Sequence, residues 1–293
     1  MAENASSTRV SVLTPSFNQV QWLGDTLRSV RSQTYPHIEH VVVDGGSTDG
    51  SVELLRTAER PQLVWESGAD RGQSHAINKA FARSSGEIIG WLNSDDAYFT
   101  RDVVARVVDA FDARPDVGLI YGHAARVDVD ANVLYVLWVP PAASRLLARG
   151  LNPLRQPSVF IRRSALGRDL LVDPDFDYMM DRELWLHLAR RTRFHRLNSI
   201  LAVDRHHTAR KSWSRRDLRA TDRELLQERY GIPVSAPHVV VRQGVALGLR
   251  LGGLMKVTDA AGGGDAIPTR RARIVTVTAR QITHLQRLRP DTG

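Results

Sequence analysis

Three places in this 293-residue chain have the residue types and spacing that chemistry needs. The first is Trp91-Leu92-Asn93-Ser94-Asp95-Asp96, where an apolar run over 88–92 ends in two adjacent carboxylates. Carboxylate oxygens suit Mg²⁺ or Mn²⁺, hard cations that also keep contacts to substrate phosphates. The same polar residues could instead form a turn capping the next helix. The second is Asp181. At 100° per residue, Leu184, Trp185 and Leu188 lie within roughly 60° of it, on an apolar helix face. An inward carboxylate is costly unless it is paired or functional, and burial raises its pKa toward that of a general base. An ion pair with a nearby arginine is the structural alternative. Glu183 falls on the opposite side and is expected to be a surface acid. The third is Arg205-His206-His207-Thr208-Ala209-Arg210-Lys211-Ser212. There a neutral imidazole could complete a metal site, and the basic groups could neutralise a diphosphate. A solvated basic loop would look the same.

These residues need elements to bring them together. Val10 to Leu13, His40 to Val43, Leu63 to Trp65 and the run over 88–92 read as buried strands. Each is followed by turn residues and then a helical stripe. The stripes are Leu23/Leu27/Val30, Val52/Leu55, Ala76/Ile77/Ala80/Phe81 and Val103/Val104/Val107/Val108/Phe111, the last expected to be capped by Thr100. This alternation predicts an α/β fold with a doubly wound, mostly parallel sheet, whose strand tips converge on one edge. Asp44 is at such a tip and could accept hydrogen bonds from a base or ribose. After residue 114 the pattern changes to a smaller mixed region. Strands are expected at 117–121, 125–129, 133–139, 156–162 and 198–203, with a hairpin at Asp130-Ala131-Asn132 and a helix over 176–190.

Composition narrows the chemistry. There is no cysteine, so disulfides and thiolate metal sites are excluded and any metal must be held by oxygen or imidazole. The N-terminus lacks the apolar core of a secretory signal, and no run of about 18 apolar residues exists. A cytoplasmic location is expected, possible peripheral attachment at the inner face of the plasma membrane included. Net charge is +8, and 270–289 holds six arginines and no acid. That bias suits an anionic partner. Over 239–257, Arg242, Arg250 and Lys256 share one side of an otherwise apolar helix, the pattern of a helix on an anionic membrane surface or of one packed on the protein's own core. Gly262-Gly263-Gly264 reads as a flexible link. Nucleic acid is not expected as a partner, because the basic tail lacks interleaved aromatics. The loop 45–50 lacks the Gly-Lys-Ser/Thr ending of a phosphate-binding P-loop.

Four ordered stretches carry a resemblance: Val10-Ser-Val-Leu-Thr-Pro-Ser-Phe-Asn18, Val41-Val-Val-Asp-Gly-Gly-Ser-Thr-Asp-Gly50, Glu66-Ser-Gly-Ala-Asp-Arg-Gly-Gln-Ser-His-Ala-Ile-Asn-Lys79 and Gly90-Trp-Leu-Asn-Ser-Asp-Asp96. As a set the chain resembles a family 2 glycosyltransferase of the GT-A fold over roughly 8–212. The nucleotide-sugar half would be 8–114, the acceptor and catalytic half 115–212, and 213–293 a basic helical extension. The resemblance implies inverting, metal-assisted transfer of a sugar from a UDP-, GDP- or dTDP-sugar donor to a saccharide or lipid-linked acceptor. It implies that Pro15, Phe17 and Asp44 contact the nucleoside and that Arg71, Gln73 and Asn78 line the diphosphate and sugar. Asp95 would touch the ribose, and Asp96 and His207 would hold Mg²⁺ or Mn²⁺. Asp181 would be the base, with acceptor recognition in 140–180. Met180 and Arg210 depart from the family's usual residues. A non-catalytic nucleotide-sugar binder or a nucleotidyltransferase are the alternative readings.

Overall fold

A computed structural model describes residues 7–208 and 218–232. Arg210, Lys211, the stretch 239–257, the glycine link and the arginines of 270–289 lie outside the described residues. Among the described residues no helix is long and apolar enough to cross a membrane.

The first half alternates as its pattern predicts: β1 Val10–Ser16, α1 Val20–Arg31, β2 Ile38–Asp44, α2 Ser51–Thr57, β3 Leu63–Ser67, α3 Gln73–Arg83 and β4 Ile88–Trp91. β5 (Ala97–Tyr98) and α4 (Val103–Asp112) follow. β3, β2, β1 and β4 are parallel neighbours in that order. Alternate side chains point to opposite faces. Leu13, Val41, Val43, Ile89 and Trp91 pack under α3. Val10, Val12 and Ile88 pack under α4, and Val42 under α1. On α4, Val103, Val104, Val107, Val108 and Phe111 are wholly buried, each contributing about 1.5–3 kcal/mol of transfer free energy. Asp102, not Thr100, occupies the N-cap position of α4, and the Thr100 hydroxyl donates to the Asp102 carboxylate.

The second half supplies β6 (Val117–Val127), β7 (Val133–Leu137), α5 (Ala143–Leu147), a 3₁₀ turn (Gln156–Ser158), β8 (Val159–Arg162), α6 (Arg163–Leu166), α7 (Met180–Ala189), β9 (Arg193–Arg205) and α8 (Leu218–Tyr230). The sheet continues from β4 through β8, β6 and β9 to β5, and β7 pairs with β6. β8 is antiparallel to both neighbours, so the sheet is mixed there.

Several boundaries differ from expectation for local reasons. β6 runs unbroken because β9 pairs along its length, with β8 and then β7 on the other side, where the polar interruption predicts two strands. Residues 156–158 turn before β8, with Pro157 at the start of the turn. β9 begins at Arg193, where mixed polar and apolar residues hid the strand. α7 begins at Met180 and not at 176. The N–H groups of Tyr178 and Met179 donate to the Asp222 carboxylate of α8, at 2.7 and 2.6 Å.

Candidate functional site

The tips of β1, β2 and β3 are level: Ser16 pairs with Asp44, and Asp44 with Ser67. Asp44 is wholly buried. One carboxylate oxygen accepts from Gly46 N (3.1 Å), Ser47 N (2.8 Å) and Ser67 Oγ (2.7 Å), and the other accepts from Ser47 Oγ. Gly46 has φ +85°, a left-handed conformation that glycine adopts without strain and that lets both N–H groups turn inward. In this arrangement Asp44 faces and shapes its own loop. Beside it, Pro15 is buried at the end of β1 while Phe17 is 61% exposed, a flat apolar ring open to a planar ligand.

The acidic loop is braced by elements distant in sequence. Asp96 N donates to Asn93 O at 3.1 Å, closing a tight turn directly after β4. The Thr26 hydroxyl of α1 is shared between the carbonyls of Ser94 and Asp96, at 2.9 and 2.7 Å. Gln19 accepts from the Ser94 hydroxyl at 2.9 Å. β5 follows the loop at once and pairs Ala97 with Val203, which delivers the end of β9 to the two acids. There Arg205 N donates to Asp96 Oδ1 (3.2 Å), and the buried Arg205 guanidinium reaches Asp25 (2.8 Å) and Asp95 O (3.2 Å).

Asp95 and His207 meet directly: Asp95 Oδ2 and His207 Nε2 are 2.8 Å apart, both side chains nearly inaccessible. A carboxylate only accepts, so Nε2 carries a proton in this contact, and a neutral ring would then have its lone pair on Nδ1. That Nδ1 is buried without a hydrogen-bond partner, and the ring packs on Trp22 with centroids 3.9 Å apart. A carboxylate-oriented imidazole with a free lone pair is the arrangement that metal-ligating histidines use. Among the described residues no group of three or more His, Cys, Asp and Glu side chains could by itself hold an ion. Asp96 and His207 are the side chains here that could contribute to holding a divalent ion, whose remaining ligands would come from phosphate and water.

α3 links this loop to α7. Gln73 donates to Asn93 Oδ1 at 3.0 Å, and the next residue, Ser74, donates to Phe176 O at 3.0 Å and contacts Met180 Sδ at 3.2 Å. Gln156 accepts from Asn93 Nδ2 at 2.9 Å, and the charge of its neighbour Arg155 acts on Asp181. Asp181 lies in the first turn of α7. Desolvation raises its pKa above the usual carboxylate range, against the lowering effects of the Arg182 N–H (2.7 Å) and the Arg182 and Arg155 charges.

Two expectations change. Glu183 is not a surface acid: it is 1% exposed, held by two hydrogen bonds from Arg168 (2.9 and 3.2 Å) and one from the Tyr230 hydroxyl (2.6 Å). α7 lies between the core and α8, so it has no solvated back face. Asn78 is occupied as a brace. Its oxygen accepts from Leu171 N and Val172 N (3.1 and 3.0 Å), and its nitrogen donates to Val172 O (2.8 Å). Arg71 is exposed at the start of α3, free to reach a ligand. Sequence reading missed Gln19 and the α1 residues Trp22, Asp25 and Thr26. A helix whose polar residues serve a loop some seventy positions later leaves no periodic trace.

Residues 11–163 match the family model described as Glycosyl transferase family 2. The uncharacterised glycosyltransferase Rv1514c of Mycobacterium tuberculosis is 33% identical over 185 residues, covering 63% of this chain and 70% of its own. A putative teichuronic acid biosynthesis glycosyltransferase of Bacillus subtilis, TuaG, is 39% identical over 93 residues, 30% of this chain and 36% of its own. Among solved structures, S. aureus TarS 1-349 in complex with UDP-GlcNAc aligns with TM-score 0.57 at 17% identity, covering 82% of this chain and 71% of that one. A mannosyltransferase of Pyrobaculum calidifontis in complex with GDP-Man and Mn²⁺ aligns with TM-score 0.54 at 24% identity, covering 75% and 62%. At these identities the structures speak for the fold.

Proposed function

The chain belongs to glycosyltransferase family 2 and carries the GT-A fold, and from that premise we propose that it transfers a sugar, with inversion, from a nucleoside diphosphate sugar to a hydroxyl of a glycan or glycolipid. What supports this reading is the chain of contacts from Asn93 through Gln73 and Ser74 to the residues just before Asp181, together with the raised pKa of Asp181. Donor and acceptor chemistry can then share one cleft.

The nucleoside lies at the tips of β1 and β2, against Phe17 and the loop that Asp44 shapes. Arg71 and Gln73 face the diphosphate. Asp96 and His207 would hold a Mg²⁺ or Mn²⁺ ion, with Asp95 orienting the imidazole and contacting the ribose. Such an ion would supply charge neutralisation to the departing diphosphate. Asp181 takes the proton of the acceptor hydroxyl as its oxygen attacks the anomeric carbon, and the raised pKa makes it a stronger base than a solvated carboxylate. One displacement inverts the centre and requires no enzyme nucleophile.

The kind of acceptor is supported by the relative named a putative teichuronic acid biosynthesis glycosyltransferase. The catalytic unit we assign to 8–212, and the basic extension to contact with an anionic membrane surface. α8 shows that the first part of the extension packs on the catalytic unit.

The test is a thermal-shift screen of UDP-, GDP- and dTDP-sugars with and without Mn²⁺, since ligand binding raises apparent stability by mass action. The proposal expects one nucleotide class to stabilise the wild type, with a metal-dependent increment that Asp96→Ala removes. An Asp96→Ala response identical to wild type overturns the ligand assignment. No response to any donor overturns the donor reading.

A further inference from the structure

The sheet edge opposite the acidic loop carries a second polar cleft. β4, β6 and β9 begin there: Ile88 is level with Arg162 and Val117 with Arg193. The cleft, about 360 Å³, is lined by Asp116, Arg162, Ser164, Arg190, Arg191 and Thr192 together with backbone. Its arginines are fixed by neutral groups. Arg162 donates to the carbonyls of Val117 and Phe111 at 3.3 and 3.1 Å and lies over the Phe111 ring at 4.9 Å. Arg190 donates to Tyr230 O at 2.9 Å and lies over the Tyr230 ring at 4.6 Å. Arg191 donates to Ala165 O at 3.3 Å. Among the described residues none of the three pairs with a carboxylate. Asp116, the one acid on the lining, is taken by Arg193 at 2.7 Å.

Three arginines thus line one cleft, and among the described residues none of them is paired with a carboxylate. We propose that this cleft is an anion site separate from the donor site, and that it takes a phosphate or diphosphate group. The planar guanidinium fork matches two oxygens of a phosphate. The Ser164 and Thr192 hydroxyls add neutral donors at the same wall. The cleft, of about 360 Å³, has room for a phosphate group. The phosphate can come from a free anion or from a lipid headgroup.

Titration calorimetry of the full chain with inorganic pyrophosphate addresses the first source. Co-sedimentation with phosphatidylglycerol-containing vesicles, against pure phosphatidylcholine, addresses the second. Arg191→Ala and Arg191→Glu are the test variants, because Arg191 is exposed and holds only the Ala165 carbonyl. Loss of one charge-assisted contact should weaken pyrophosphate binding roughly tenfold or more, and charge reversal further. Thermal response to the nucleoside diphosphate sugar should be the same in all three proteins, which separates this cleft from the donor site. A deficit in pyrophosphate binding supports a free anion, and a deficit confined to vesicles supports a headgroup. Binding of both probes unchanged by Arg191→Glu, or binding of neither by the wild type, overturns the proposal.

Discussion

Replacing Glu183 by Gln separates the two acids of α7. The substitution keeps the side chain's shape and an oxygen that can accept from the Tyr230 hydroxyl, but removes the charge facing Arg168. Glu183 is 1% exposed and Arg168 21%. Removing one partner of a fully buried ion pair costs about 3–5 kcal/mol, because it strands the other charge. Arg168 keeps some access to water, which relieves part of that, so about 2–3 kcal/mol is expected. For a chain of this size that lowers Tm by about 5–10 °C. The Gln side chain also turns donors toward a guanidinium that has only donors, so no compensating bond forms. Glu183 thus acts in folding: kcat/KM measured well below the variant's Tm should stay within about threefold of wild type. Asp181→Asn should give the reverse, a protein at least as stable that transfers almost no sugar. The assay pairs thermal unfolding with release of nucleoside diphosphate. A Glu183→Gln protein with wild-type Tm and a kcat reduced about a hundredfold would refute the reasoning and make Glu183 the base.

Three further outcomes follow from particular contacts. Asp181 has a raised folded pKa, so the native state binds its proton more tightly than the unfolded chain does, and its contribution to stability is lost as pH rises through the folded value. The Tm advantage of Asp181→Asn over wild type should therefore grow from near zero in acid to a plateau at neutral pH, and the acid limb of wild-type kcat/KM should lie above the ordinary carboxylate range; a pH-independent Tm difference would count against both. Asp222→Ala strips the acceptor from two N–H groups at the start of α7, so kcat should fall about tenfold or more with donor affinity unchanged; equal losses in both would mean a general collapse instead of a displaced Asp181. Asn78→Ala leaves buried backbone groups at 171–172 unpaired and should cost about 2–4 kcal/mol in denaturant unfolding; loss of donor affinity at unchanged stability would return Asn78 to the ligand-contact role.

What could be read before folding was what local pattern encodes. β1, β2 and β4 are near-continuous apolar runs, as strands covered on both faces must be, and each ends in polar residues, so Pro15, Asp44 and Asp95-Asp96 were visible as tips of one edge. Asp181 was visible because three large apolar residues share its helix face. Glu183 was misread by the same wheel, because the wheel supposes one buried face and α8 covers the other. The Asp95–His207 contact could be expected only as a common site. Its geometry depends on the two-residue pairing of β5 with β9, which is too short to leave a signal. Asn78 and Gln156 show the remaining limit: an amide's partners are backbone or side-chain groups from other segments, and nothing in its neighbours names them.

The place of β8 bears on how the chain is made. The ribosome releases β4 long before β8, yet Ile88, Ile89 and Gly90 pair with Arg162, Ile161 and Phe160. Until Val159 to Arg162 emerge, a four-stranded sheet ends in an unpaired edge whose residues are all apolar and, in the finished protein, all buried. At about 5–20 residues per second that interval lasts several seconds, far longer than a strand needs to find a partner in another chain. A fragment of 8–114 would keep this edge permanently and should associate through it. The nucleotide-side half thus completes its sheet edge only when the later half supplies β8, at the strand next to the acidic loop.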